Sequence, residues 1–170
     1  MSTSKWFGRK FDFSFGPDEY TSIYQRLQQA PDILAQLLTS IPEHILTHQP
    51  DGKWSVKEHT GHLSVLEPLW RTRMHDILEQ KPVLTATDLE NKATSEAGFN
   101  KDAITALLEK FLAERRATIE LLDSINVPGN GQTSMHPRLQ QPMRIIDIAY
   151  FTAEHDDHHI AVIQELVKGR

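Results

Sequence analysis

Cysteine is absent from the 170 residues, which excludes disulfides and thiolate metal ligands and leaves nitrogen and oxygen as the donors for any metal. A reducing compartment is compatible with that absence. Missing too is any apolar run near the roughly 20 residues of a membrane helix. The opening stretch, MSTSKWFGRKFDFSFG, interleaves aromatics with lysine and arginine and never builds the apolar core of a signal peptide. Cytoplasm is the expected location, with no membrane partner. The net charge of -5 has no compensating basic run, which argues against nucleic acid as the main partner. No Gly-rich phosphate loop, serine nucleophile elbow, paired-carboxylate motif, internal repeat or low-complexity tract appears.

What is present is a helical pattern in a chain long enough for one domain with its own core, 39% apolar. Residues 1–16 read as an N-terminal arm whose Trp6, Phe7, Phe11, Phe13 and Phe15 pack either on the body or on a second subunit. Pro17, Asp18 and Glu19 suit a first helical turn, and Ile23 and Leu27 start an apolar stripe. Pro31 interrupts that stripe, so Ile33, Leu34, Leu37 and Leu38 are expected to form a restart or a kinked continuation, which Pro42 ends. A short helical turn and a loop follow. Ser55 and Glu58 spell a capping box for a second helix, with Trp54 placed to lie against His59 as a hydrophobic staple. That helix should run to about Gln80 through Leu63, Leu66, Trp70, Met74 and Ile77, kinked at Pro68, with loop from Lys81 to Asn100. The third helix, about Lys101 to Ile125, has the cleanest period, with Ile104, Leu107, Phe111, Arg115, Ile119 and Leu122 in its stripe. A loop rich in polar residues leads to a last helix from near Pro142 to near Lys168. Four long amphipathic helices without strand alternation predict an all-α four-helix bundle in a single domain, with strands at most minor.

The last helix carries the chemistry. His155 and His159 lie four residues apart, roughly 40° apart on a helical projection, and share a side with Ile148, Thr152, Val162 and Leu166. Imidazoles in an apolar stripe need hydrogen-bond partners or a metal. The plain alternative is a hydrogen-bonded core pair; the sharper reading is a chelating pair for a zinc-, nickel- or iron-type ion. His158 falls at the edge of the stripe, as a partly exposed residue rather than a ligand. A third ligand has to come from another helix, and the second offers His59, His62 and Glu67. Projection alone slightly favours His59, although a staple under Trp54 would give it a packing role. Glu67 suits metal binding, proton acceptance or a salt bridge.

WSVKEHTGHL, from Trp54 to Leu63, and HDDHHIAVIQEL, from His155 to Leu166, resemble the DinB-like (YfiT-like) family of four-helix proteins. The resemblance includes IPEHILTHQPDGKW and the HPRL segment at His136 to Leu139, and spans roughly Leu34 to Leu166. It implies an up-down-down-up bundle, a homodimer, and a metal triad at His62, His155 and His159 holding a divalent ion such as nickel or zinc. It also implies chemistry on a small-molecule substrate, hydrolase-like or dependent on a low-molecular-weight thiol. Three neutral histidines leave coordination positions open for water or a thiol, whose pKa the metal lowers. For a general base, Glu67 is the first candidate and Glu58 the second, the latter already used by the capping box. The rival reading from another class is a dimeric binding module with a structural or vestigial metal and no turnover.

Overall fold

A computed structural model of the protein describes residues 6–168. Four long helices carry it: α1 (Tyr20–Leu38), α2 (Val56–Leu78), α3 (Ile104–Asp123) and α4 (Ile145–Lys168). The capping box is in place at the start of α2. Ser55 Oγ accepts from the Glu58 amide at 3.2 Å, and Glu58 Oε2 accepts from the Ser55 amide at 2.8 Å. The Trp54 ring lies 5.5 Å from that of His59, the contact a staple requires. The cap is worth about 1 kcal/mol.

Helix α1 runs through Pro31 as one helix, so of the restart and the continuation that the sequence allowed, the continuation forms. Proline has no amide proton to give to the carbonyl four residues earlier. That carbonyl, on Leu27, instead accepts from Arg115 Nη1 at 2.9 Å. Pro68 likewise lies inside an uninterrupted α2. Other boundaries shift for local reasons. Phe99–Lys101 forms its own 3-10 turn, and Asp102 and Ala103 are extended, so α3 starts at Ile104 instead of Lys101. Pro142–Met143 (β2) pairs antiparallel with Ser134–Met135 (β1), which delays α4 to Ile145. The 81–98 stretch is loop apart from a helical turn at Lys92–Ser95, and Val83 bridges to Met135.

Cross-helix pairs give the directions. Glu67 of α2 meets Arg115 of α3, each about midway along its helix, and Phe99 just before α3 covers Gly61 near the start of α2; these two run parallel. A Cβ on Gly61 would meet the Phe99 ring at 2.4 Å, so glycine permits that approach. Tyr24, early in α1, donates to Asp123 at the end of α3 at 2.6 Å, an antiparallel pairing. His59 packs on His159 while Trp70 packs on Phe151, so α2 and α4 are antiparallel. The bundle is therefore up-down-down-up, with α1 and α2 each packed between α3 and α4.

Two apolar clusters fill it, one around Leu27, Trp70, Met74, Ile77 and Ile148, the other around Leu34, Leu63, Phe111, Ile160 and Ile163. Between them lies a charged layer. Arg115, 1% exposed, donates from Nε to Glu67 Oε1 at 3.0 Å and from Nη1 to Asp156 Oδ2 at 2.7 Å. Thr118 Oγ1 donates to the other oxygen of Glu67.

The described part of the arm packs on its own bundle. Phe11 packs 4.8 Å from Phe151 with its ring tilted, and Phe15 lies 5.0 Å from Tyr150, while Phe7 stays largely exposed. Arg144 Nη2 donates to the carbonyls of Phe13 and Phe15 at 3.1 and 3.2 Å. Residues 1–5 of the expected arm lie outside the described residues. Among the described residues, no helix is long and apolar enough to cross a membrane.

Candidate metal centre

Antiparallel packing brings the start of α2 against the middle of α4, so His62 faces the pair that the i, i+4 spacing stacks on α4. His155 and His159 present their Nε2 atoms to each other at 3.2 Å. Two donors bound at 2.0–2.1 Å to one tetrahedral ion would stand about 3.3 Å apart, so the pair fits a shared metal. One ring nitrogen from each of His62, His155 and His159 falls in a group whose members lie within 4.8 Å of one another. All three residues are buried.

The surroundings fix the rings. His62 Nδ1 lies 2.8 Å from Thr94 Oγ1; with the proton on Nδ1 donated to that hydroxyl, Nε2 keeps its lone pair for a ligand. His159 Nδ1 lies 2.8 Å from His59 Nδ1, so His59 serves the same purpose for His159. Trp54 packs 4.7 Å from His62, and Trp6 packs 5.2 Å from His155. Burial lowers the pKa of His62 to about 3 and of His59 to about 4, and drives His155 and His159 well below the ordinary histidine value, with neighbouring imidazoles adding to the effect. Neutral imidazole is the form that binds metal. His155 Nδ1 is buried without a partner.

The remaining candidates take other places. His158 is half-buried beside Trp6, its ring 5.2 Å from that of His159, and stays outside the three-nitrogen group. Glu67 does not join the histidines. It is 0% exposed, with both oxygens committed to Arg115 and Thr118, so the expected general base is a member of the charged layer instead. Glu58 is held by Ser55 and by Gln49.

A cavity of about 870 Å³ opens against the triad, walled by Trp6, Trp54, Trp70 and Phe151 and reaching Arg73 and Arg138. The one carboxylate among its described lining residues, Asp88, already accepts from the amides of Glu90 and Lys92 at 2.9 and 2.8 Å. Projection could not have found Thr94 or His136, which arrive on connecting segments. Arg73 had a signal: it lies eleven residues after His62 and so on the same helical face.

The family model described as DinB superfamily matches residues 26–163. Among solved structures, YfiT from Bacillus subtilis, described as a probable metal-dependent hydrolase with an unusual four-helix bundle topology, superposes with a TM-score of 0.80 at 22% identity. The match covers 95% of this chain and 93% of that one, and at this identity it speaks for the fold. No curated protein matches the chain.

Proposed function

The chain belongs to the DinB superfamily, and from that premise we propose that it is a metal-dependent enzyme, with His62, His155 and His159 holding one divalent ion, nickel or zinc. The observation that carries the reading is the 3.2 Å approach of two Nε2 atoms, with His62 in the same group, at the wall of a large cavity. A structural zinc site takes four protein donors, whereas this group has three.

When bound, the ion supplies Lewis acidity and lowers the pKa of a water or thiol that reaches it; the reaction is then hydrolase-like or a thiol-dependent transfer. The chain's own part is to hold the three imidazoles neutral and aimed. Thr94 and His59 hold two of the rings from behind, and Trp6 and Trp54 exclude bulk water from two sides. The room beside the triad favours turnover over a non-catalytic binding module. The protein is also proposed to act as a homodimer, which a monomer mass in light scattering at micromolar concentration would contradict.

Elemental analysis of purified protein tests the metal. Wild type should carry about one divalent ion per chain, and His62→Ala, His155→Ala and His159→Ala should each lose it while circular dichroism stays helical. His158→Ala should keep it. A wild type that binds no divalent ion, even after incubation with zinc and nickel, defeats the reading. Loss of metal in His59→Ala with retention in His62→Ala would instead make His59 the third ligand.

A further inference from the structure

At the end of the cavity away from His59, three basic side chains converge, none of them in an ion pair among the described residues. Arg73 is 2% exposed and donates from Nε to the Thr85 carbonyl at 2.9 Å, yet its Nη2 is buried with no partner. It forms no ion pair among the described residues: the nearby Asp76 has one oxygen on Lys81 Nζ at 2.8 Å and the other on the Thr85 amide at 2.7 Å. His136 is also 2% exposed. Its Nδ1 accepts from the amides of Arg138 and Leu139 at 3.2 and 3.1 Å, so its proton sits on Nε2, which is buried and unpartnered. Arg138 adds a second guanidinium, with Nη1 on the Phe7 carbonyl at 3.3 Å. Arg73, His136 and Arg138 all line the cavity.

A buried cation outside any ion pair and a buried donor without an acceptor are each costly. Side by side, they are what a site for an anion looks like before the anion arrives. Burial, then the neighbouring Arg138, pushes Arg73 down to about 10 against the weaker opposing pull of Asp76, and burial with Arg73 and Arg138 beside it pushes His136 down to about 3. Both shifts come first from burial and then from like charge beside it, and the one opposing carboxylate, Asp76, is already engaged by Lys81 and the Thr85 amide.

We propose that this corner binds the carboxylate of a small substrate whose apolar body lies against Trp70 and Phe151 and whose reacting end reaches the histidine triad. The two unpartnered donors match the two oxygens of a carboxylate. One aromatic side chain spans the two ends: the Trp70 ring is 5.5 Å from that of His155 and 5.5 Å from the Arg73 guanidinium. His136 stands 5.6 Å from Phe151, which itself packs 5.8 Å from Trp70. The inference rests on the metal-enzyme reading for the reacting end, while the anion site stands on its own atoms.

The test uses the full chain, metal-loaded and after chelation, titrated with 3-phenylpropanoate and with its neutral isostere 3-phenylpropanamide, and read by tryptophan fluorescence. The acid should bind roughly tenfold or more tightly than the amide, with or without metal. Arg73→Gln and Arg138→Gln should each cut that preference severalfold. Arg138 is partly exposed, so its variant reports on the site even if Arg73→Gln fails to fold. Equal binding of acid and amide overturns the proposal. So does a preference that survives both substitutions and vanishes with the metal, because the carboxylate is then bound at the histidines. A wild type that holds no metal but keeps an arginine-dependent preference removes the enzyme reading and leaves the anion site standing.

Discussion

Two buried arginines in this bundle live on opposite terms. Arg115 lies between Glu67 and Asp156, with Thr118 completing the layer. Burial works against its charge, but the two carboxylates hold its pKa above the ordinary value. Asp156 Oδ1 is the one atom of that layer left without a partner. Arg73 is as deeply buried, is in no ion pair among the described residues because the nearby Asp76 is held by Lys81 and the Thr85 amide, and sits beside a second guanidinium and an unpaired imidazole N–H. The first region is closed and explains itself as structure. The second, with the triad at the other end of the same cavity, is polar without being satisfied, which is how a protein site differs from a protein core.

The largest difference should appear on substitution. Arg115→Met strands two buried carboxylates and should cost about 3–5 kcal/mol in chemical denaturation; an unchanged midpoint would show that the layer holds nothing together. The next effect is pH dependence. His59, His62, His136, His155 and His159 have folded pKa values below the ordinary 6.5 because burial disfavours their charge. The unfolded chain takes up protons near 6.5 and the folded one does not, so stability is full above that pH and is lost as pH falls toward about 4. Asp156, raised by burial, acts in the opposite direction, as one carboxyl against six imidazoles, since burial lowers His158 as well. Thermal melts of metal-free protein should therefore fall steadily over this range, and a flat profile would mean that the imidazoles are solvated.

A smaller change is expected from Thr94→Val, which removes the partner of His62 Nδ1. Metal affinity should drop about 10- to 100-fold while saturating metal still gives the same stoichiometry; competition with a chelating dye measures it, and an unchanged affinity would free Thr94 of that role. Smallest of all is Arg73→Met in the ligand-free protein. No ion pair is broken, since Asp76 keeps Lys81 and the Thr85 amide, and the lost bond to Thr85 is offset by removing a buried charge outside any ion pair, so stability should move by about 1 kcal/mol or less. A loss as large as that of Arg115→Met would erase the contrast between the two regions.

Much of this was legible before the fold. The capping box at Ser55 and Glu58 located α2, and the spacing of His155 and His159 placed both in one stripe. The third histidine was not decided by projection, because His59 and His62 both face α4: one contacts His159 from behind and the other falls among the triad nitrogens. The family resemblance had pointed to His62. For Glu67 the sequence leaves metal binding, proton acceptance and a salt bridge open, because helical phase does not say which neighbour a buried carboxylate meets; the fold gives it the salt bridge. The signal for that salt bridge is Arg115 in the apolar stripe of α3, which needs a carboxylate opposite. The same arginine makes Pro31 tolerable by reaching the Leu27 carbonyl, a long-range contact that no local rule contains.

The central claim is that three histidine nitrogens share one ion, and X-ray absorption spectroscopy of the metal-loaded protein tests it most directly. The spectrum should show three imidazole scatterers at about 2.0–2.1 Å in wild type, and fewer in His62→Ala. An oxygen-only first shell, or a His62→Ala spectrum identical to wild type, would contradict it.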